Sequence, residues 1–303
     1  MQKEYNYHTK IMGCDFDMTF ITTSVEKADN YFIQALNIAK FYEEKFSRFN
    51  NDSELSLLNK RKTLEVSDLF MTIYEIAFDL YKRTGKKFNP LAQVSYLGYD
   101  KSFEKIKDNI NDYQEHIAKY NIDLGSVVVS SNKIILQRFQ KLDFAGFLKG
   151  YVAQEIALKI NNPLGTIINI GGDIYVQNFN INNKKFTIEI VHPNSNSKNV
   201  FISIANESVC TSGIYKRKWV NSENKIKHHI VDVSSKDSAQ SNILSATIIH
   251  KNGAIADAYA TVAIILGLEK SLEFLNKQTI DFILIEKNNK IHISRKLKQK
   301  ICK

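Results

Sequence analysis

The 303-residue sequence has few of the residues that mark a cross-linked or linker-rich protein. Its three cysteines are Cys14, Cys210 and Cys302, and their odd number and wide spacing argue against a disulfide framework and a zinc motif. With only three prolines and twelve glycines, long disordered linkers are not expected. These shortages point to a folded chain whose stability comes from a hydrophobic core.

Long apolar runs are also missing from the sequence. No stretch reaches the length of a membrane span, and the first residues lack the apolar core of a secretory signal. These two absences predict a cytoplasmic protein with no membrane segment. The formal net charge is +9, but the only dense basic run is the tail from Arg295 to Lys300. Because nucleic-acid-binding proteins cluster Lys and Arg on one face, a nucleic-acid partner is not expected.

What is present is typical of a globular protein, with 44% hydrophobic and 24% charged residues. Apolar spacing predicts helices over 25–46, 54–58, 67–84, 101–120 and 152–160, and one from 253 that continues through 275. Strands are predicted within 5–23 and over 127–129, 134–136, 166–170, 174–176, 186–191, 200–205, 227–232, 244–250, 280–285 and 290–294. Because helices and strands interleave irregularly, the fold class is α+β. We expect a mixed sheet with packed helices in a single large domain, residues 1–294, followed by a basic tail, residues 295–303.

The stretch LDFAGFLKGYVAQEIALKI, from Leu142 to Ile160, combines charge, glycine and a helix start. Asp143, Gly146, Lys149 and Gly150 precede an apolar helical face. A helix N-terminus offers unpaired N–H groups, a glycine permits close approach, and a lysine adds a point charge. The pattern therefore predicts a seat for a phosphate or another anion. The alternative is an ordinary helix start with a surface lysine.

Asp257 and Thr261 stand four residues apart in the apolar segment GAIADAYATVAIIL, so a helix places them on one face. A carboxylate and a hydroxyl suit Mg²⁺, which takes few protein ligands alongside waters and phosphate oxygens. The alternative is that Asp257 stabilises the helix dipole and Thr261 bonds back to its own backbone. An acid in an apolar helix is costly unless it is paired or bound to metal, which favours the functional interpretation.

Three further motifs admit both a chemical and a structural interpretation. His228 and His229 are followed by Asp232, but adjacent strand residues point apart, so at most one histidine belongs to a site. The segment 171–173, Gly-Gly-Asp, lies between two predicted strands and lacks the third glycine and following helix of a dinucleotide fingerprint, so a tight turn is expected. The segment 211–213, Thr-Ser-Gly, is interpreted as a turn that either cradles phosphate or only reverses the chain.

Taken together, the order and spacing of these motifs resemble the ApbE-type FAD:protein FMN transferases, a family related to the T-fold. The likeness runs from Met12-Gly13 to about Gly267. It is carried by SRFNNDSELSLLN (47–59), LDFAGFLKGY (142–151), NIGGDI (169–174), TSGIY (211–215), HIVD (229–232) and ADAYAT (256–261). The sequence departs from the family pattern at Asn89, Ala145-Gly146, Leu148, Ile214 and Val233.

The resemblance implies an enzyme that takes FAD with Mg²⁺, cleaves its pyrophosphate, and attaches FMN to a Ser or Thr of an acceptor flavoprotein while AMP leaves. It implies metal ligands at Gly146, Asp257 and Thr261, with His229 and Asp257 as catalytic residues. The implied flavin- and nucleotide-binding residues are Met12, Phe49, Lys87, Phe88, Asn89, Asp143, Lys149, Thr211 and Val231. Two alternatives stay open: an FAD pyrophosphatase that yields FMN and AMP, and a non-catalytic flavin-binding protein.

Overall fold

The computed structural model describes residues 1–92, 94–97, 121–221 and 224–302. The helix predicted over 101–120 lies outside these ranges. The chain divides into two compact units. The first unit comprises Met1–Glu43, Phe147–Gly213 and Asn242–Lys303, and the second comprises Glu44–Gly146 and Ile214–Ser241. The predicted division into residues 1–294 and a tail stays a prediction.

The described helices are α1 (Val25–Phe46), α2 (Glu54–Arg61), α3 (Asp68–Arg83), α4 (Leu148–Ile160), α5 (Gly253–Leu266) and α6 (Leu268–Lys277), with short 3-10 helices at Val94–Leu97, Leu124–Ser126 and Leu297–Lys300. The described strands are β1 (Lys3–Ile11), β2 (Cys14–Thr22), β3 (Thr63–Glu65), β4 (Val128–Ser130), β5 (Lys133–Ile135), β6 (Thr166–Ile170), β7 (Asp173–Gln177), β8 (Phe186–Ile190), β9 (Val200–Ile204), β10 (Glu207–Gly213), β11 (Lys218–Val220), β12 (Ile226–His228), β13 (Val231–Asp232), β14 (Asp237–Ser238), β15 (Ile243–His250), β16 (Asp281–Glu286) and β17 (Ile291–Ile293). This mixture confirms the predicted α+β class.

The first unit is built on one eight-stranded sheet in the order β1-β2-β6-β7-β10-β15-β16-β17. Every neighbouring pair in it is antiparallel. Helix α5 packs on β10 and β15, and α4 packs on β6, β7 and α5. These two helices bury one face of the sheet, and they carry Lys149, Gly150, Asp257 and Thr261.

A second layer of the first unit is the β8–β9 ribbon. Isoleucine and valine side chains of the sheet pack with those of the ribbon in one buried cluster, which also holds Leu297. The C-terminal residues contact both layers, because the Cys302 N–H donates to the Phe201 carbonyl of β9 over 2.8 Å and Lys300 Nζ donates to Glu207 Oε1 of β10 over 2.8 Å. The basic tail therefore contributes to the packing of the first unit.

The second unit contains the three-stranded sheet β3-β5-β4, the ribbons β11–β12 and β13–β14, and helices α2 and α3. Three phenylalanines form part of its core, and the Phe70 and Phe144 ring centroids lie 5.5 Å apart, with Phe46 beside both. Ser53 caps α2 and Ser67 caps α3, each through a side chain that accepts the backbone N–H three residues later.

Several predicted boundaries are wrong. Helix α2 extends three residues beyond the predicted 54–58, α4 begins four residues before the predicted 152, and the strand predicted over 227–232 is divided into β12 and β13. The segment 211–213 is the end of the central strand β10 and not a turn. The last long helix does not continue through 275, because Gly267 has φ +72° and separates α5 from α6. Among the described residues, no helix is both long and apolar enough to cross a membrane.

Candidate active site

Asp257 on α5 is the buried acid around which the first unit's chemical groups gather, with 4% of its surface exposed. The backbone N–H of Gly150, in the first turn of α4, donates to Asp257 Oδ2 over 3.1 Å. The sequence predicted that N–H groups at this helix start would bind a phosphate. In the structure, the Gly150 N–H already donates to the Asp257 carboxylate. The bond fixes Asp257 against α4 and helps to compensate for its burial.

Helices α4 and α5 approach so closely because both have glycine at the crossing. A Cβ added to Gly150 would lie 2.8 Å from Asp257 Cβ and 3.0 Å from Cys210 Sγ, and it would clash with the Gly253 carbonyl oxygen. A Cβ added to Gly253 would in turn clash with the Gly150 carbonyl. The two backbones touch, and this contact delivers the Gly150 N–H to Asp257.

Lys149 does not lie free on the surface, which corrects the alternative of an ordinary surface lysine. Its ammonium forms an ion pair with Asp173 Oδ2, and the side chains are 21% and 2% exposed respectively. Burial lowers the pKa of Lys149, but the carboxylates of Asp173 and Asp257 more than offset this and raise it above its usual value. Lys149 is therefore a fixed positive charge beside two acids.

Asp173 occupies the first position of β7, where it pairs in the sheet with Ile170 and Cys210. Gly171 and Gly172 precede it with φ +63° and +98°, so the predicted tight turn is confirmed. The turn also has a chemical role, since it presents a buried carboxylate to Lys149. Sequence reasoning missed Asp173 as a site residue, although an acid at the start of a buried strand is the signal that could have found it.

The pKa of Asp257 is raised to about 7 by burial and then by Asp173, while Lys149 and the Gly150 N–H act in the opposite direction. Four residues on, Thr261 Oγ1 lies 2.9 Å from Ser212 Oγ of β10. Within the described ranges, no group of three or more His, Cys, Asp or Glu side chains could hold a metal ion. A carboxylate and hydroxyls on neighbouring elements are nevertheless the hard oxygen donors that Mg²⁺ prefers, so the chemistry of the set fits that ion.

The two remaining predicted residues of the first unit lie at strand ends. Met12 and Gly13 form the two-residue turn between β1 and β2, both with positive φ. Thr211 Oγ1 lies 2.9 Å from Thr247 Oγ1 across the β10–β15 pair. Met12 and Thr211 are both partly exposed, so a ligand can reach their side chains.

In the second unit, Asp143 lies 3.5 Å from Arg48 Nη1 through its Oδ2 atom, and its Oδ1 atom accepts the Ala145 N–H over 2.9 Å. The Arg48 guanidinium also lies 4.6 Å from the ring centroid of Phe49, whose side chain is 47% exposed. Arg48 therefore links two predicted binding residues, and sequence reasoning did not single it out. Because the guanidinium of Arg48 covers one face of the Phe49 ring, the other face can stack on a planar ligand.

The Lys87–Asn89 turn is tightly held in the same unit. Phe88 is buried, and its ring would lie 3.1 Å from a Cβ added to Gly146, so the position of Gly146 favours glycine. The Asn89 side chain donates to the Ile122 carbonyl over 2.8 Å and accepts the Leu91 N–H over 2.9 Å. Asn89 therefore organises this loop with both ends of its amide. Lys87 Nζ lies 3.9 Å from Asp232 Oδ1.

The two histidines have different environments. The Nδ1 atom of His228 accepts the Ile230 N–H over 3.3 Å, so the ring proton of His228 is on Nε2. The Nε2–H group donates to the Ala239 carbonyl over 3.0 Å. Both ring nitrogens of His228 therefore serve the backbone. His229 is partly exposed between β12 and β13, next to the buried Ile230 and Val231. The expectation that at most one histidine belongs to a site thus leaves His229 as the candidate.

Asn59, the last residue of the SRFNNDSELSLLN stretch, holds the loop that carries Asp143 and Gly146. Its Nδ2 donates to the Leu142 carbonyl over 2.8 Å, and its Oδ1 accepts the Leu142 N–H over 2.7 Å. We expect Asn59→Ala to lower the free energy of unfolding by about 2–4 kcal/mol, because two backbone groups of a buried residue lose their partners. Urea denaturation measures this change.

The matched control for Asn59→Ala is Asn132→Ala, which removes an exposed side-chain bond to Asp68 Oδ1. The control should change the free energy of unfolding by less than about 0.5 kcal/mol. Equal destabilisation by the two substitutions would show that Asn59 does not hold the loop.

The first unit's fold and site define a mixed α+β protein in which two helices present a buried Lys-Asp-Asp cluster over an antiparallel sheet. The model of the ApbE family matches residues 12–284, so the chain belongs to that family. It is 25% identical over 296 residues to the FAD:protein FMN transferase of Haemophilus influenzae, covering 92% of this chain and 83% of the relative. Identity is 24% over 248 residues to the protein of the same name from Buchnera aphidicola subsp. Schizaphis graminum, covering 78% and 72%.

Solved structures show the same fold. The flavin transferase ApbE from Vibrio cholerae superposes with a TM-score of 0.84 at 19% identity, covering 99% of this chain and 100% of that one. The ApbE protein of Thermotoga maritima gives a TM-score of 0.87 at 19% identity with the same coverage. These matches confirm the fold that the resemblance predicted.

Proposed function

We propose that this protein is an FAD:protein FMN transferase that uses Mg²⁺ and attaches FMN to a Ser or Thr hydroxyl of an acceptor flavoprotein, releasing AMP. The observation that carries the proposal is the buried Asp257, fixed by the Gly150 N–H and followed on the same helix by Thr261. Family membership and the names of the relatives support the same activity.

In this proposal, Asp257 and Thr261 of α5 would hold Mg²⁺, together with the Gly146 carbonyl that the family resemblance implies. The metal would supply neutralisation of charge on the pyrophosphate and on the departing AMP. Positioning and electrostatic stabilisation dominate phosphoryl-type transfers, so few protein groups need to react covalently. The fixed positive charge of Lys149 and the hydroxyl of Thr211 would contribute to seating FAD.

The transfer forms one bond and breaks one. The acceptor hydroxyl oxygen attacks the phosphorus of the FMN half, the bond from that phosphorus to the AMP oxygen breaks, and AMP leaves with the electron pair. His229 would take the hydroxyl proton, since a neutral imidazole is a suitable base near neutral pH. Phe49 would stack on a ring of FAD, while Met12, Asp143, Val231 and the Lys87–Asn89 turn would line the rest of the binding surface.

The experiment is a product analysis with purified protein. FAD is incubated with Mg²⁺ or with EDTA, with and without an acceptor domain that carries a Thr, and AMP, FMN and covalent flavin are measured by chromatography. Metal-dependent AMP release with flavin bound covalently to the acceptor supports the transferase. AMP with free FMN points to a pyrophosphatase, and intact bound FAD points to a binding protein.

The roles of the histidines give a separate prediction. We expect His229→Gln to lower the rate of FMN transfer by about 10²-fold or more, because a positioned base contributes at least that factor. Its melting temperature should stay near that of the unaltered protein. His228→Gln is the matched control, and it should lower the melting temperature because glutamine does not reproduce both backbone bonds of the imidazole. Transfer by His229→Gln at the original rate would remove His229 as the base.

A further inference from the structure

Asp173 has no assigned function, yet its burial calls for one. Only 1% of its surface is exposed, and it begins a strand in the middle of the large sheet. A buried carboxylate is costly unless a charge or several donors compensate for it. Its partner is the Lys149 ammonium, and the two-glycine turn before β7 sets the carboxylate in place.

Lys149 has a second carboxylate within its electrostatic reach. Asp257 acts on the ammonium along with Asp173, and the residue after Lys149 donates its N–H to Asp257. Cys210, which pairs with Asp173 in the sheet, also lies against the Gly150 backbone. Lys149, Asp173 and Asp257 therefore belong to one buried cluster, in which a single cation could serve either acid.

We propose that Asp173 is a positioning residue that keeps Lys149 as its own ion-pair partner and thereby leaves the Asp257 carboxylate available to a divalent cation. This inference rests on the metal-binding role of Asp257 in the proposed function. Asp173 is not proposed as a ligand of the metal or of the substrate, and its effect would reach the metal site through its ion pair with Lys149.

Asp173 would act through its charge. With both acids ionised, one lysine and two aspartates carry a net charge of −1, which attracts a divalent cation. Without the Asp173 charge, the ammonium is balanced by Asp257 alone, and the cluster becomes neutral. An arriving cation must then compete with Lys149 for the same carboxylate, and repulsion from the ammonium is no longer offset.

The test measures metal binding without FAD. Free Mn²⁺ is followed by electron paramagnetic resonance while it is titrated into the full chain, at about pH 8 so that proton competition at Asp257 is small. The variants are Asp173→Asn, Lys149→Met and the double variant. The matched control is Asp281→Asn, which removes the charge of a buried carboxylate on β16 whose ion-pair partner is Lys300. Melting temperatures are recorded for every variant.

We expect Asp173→Asn to weaken Mn²⁺ binding by about tenfold or more, a factor typical of one unbalanced charge a few ångströms away. The double variant, whose remaining charge is again −1, should return to within about threefold of the unaltered protein. Lys149→Met alone should bind Mn²⁺ more tightly than the unaltered protein, and Asp281→Asn should bind it equally well. A merely structural role for Asp173 does not predict recovery in the double variant.

Two results would overturn the inference: Mn²⁺ binding by Asp173→Asn equal to that of Asp281→Asn, or a double variant as weak as Asp173→Asn. No Mn²⁺ binding by the unaltered chain would overturn it together with the metal role of Asp257. The expected binding series with no FMN transfer to any acceptor would contradict the proposed function alone, because FAD takes no part in the titration.

Discussion

Asp257→Asn is expected to lower metal-dependent AMP release from FAD by about 10³-fold, because the proposed Mg²⁺ site loses its charged ligand and the charge stabilisation that a metal supplies is worth several kcal/mol. Asparagine has nearly the same shape, and its Oδ1 can still accept the Gly150 N–H. The substitution therefore removes charge while keeping the contact between α4 and α5. The measurement is kcat/KM for AMP release at several Mg²⁺ concentrations.

The control for this prediction is again Asp281→Asn, a buried acid of the same unit whose partners are Lys300 and Ser294. It should retain nearly full turnover. FAD binding by Asp257→Asn, followed by flavin fluorescence, separates loss of chemistry from loss of substrate. If Asp257→Asn keeps a tenth or more of the original rate at ordinary Mg²⁺ levels, the metal ligand must be sought elsewhere.

Local patterns predicted the elements whose signals lie in neighbouring residues. The apolar spacing over 25–46 predicted helix α1 with the bounds that the structure has, and the spacing over 67–84 predicted α3 to within one residue at each end. The two glycines before Asp173 predicted the turn between β6 and β7. In each case, local backbone preference and the side-chain pattern favour the same structure that the tertiary contacts stabilise, so the local prediction is correct.

The segment 211–213 was predicted wrongly for a physical reason. Small residues favour turns locally, but in β10 they alternate beneath the closely packed α5. Ser212 contacts Thr261, and Cys210 lies near the Gly253 carbonyl. Their small size serves the close approach of a helix to the sheet, and a single sequence does not distinguish this requirement from a turn.

The ion pair of Lys149 with Asp173 was also beyond local reasoning. The two residues are 24 positions apart and come together only when α4 packs on β7. Asp257 and Thr261 could be proposed together as metal ligands from the sequence, because four-residue spacing on a helix is local information. The Gly150 N–H that fixes Asp257 lies 107 positions away along the chain, so local patterns did not predict that contact.

Gly150→Ala is expected to lower the free energy of unfolding by about 2 kcal/mol or more, although alanine is the better helix former by about 1 kcal/mol. The added methyl would meet the Gly253 carbonyl and the Asp257 and Cys210 side chains, and the carbonyl is backbone that cannot turn aside. The helices must separate, which also withdraws the Gly150 N–H from Asp257. We therefore expect FMN transfer to fall even at temperatures where the variant is folded.

Gly125→Ala provides the comparison, since its methyl would meet nothing closer than Asp123 Oδ1 at 3.4 Å, an ordinary contact. Its free energy of unfolding should change by less than about 0.5 kcal/mol. Urea denaturation gives both stabilities, and the product assay on folded protein gives both activities. A Gly150→Ala protein with unchanged stability and transfer would mean that the close contact of α4 with α5 is not required. Lower stability with full transfer would separate the packing of the helices from the positioning of Asp257.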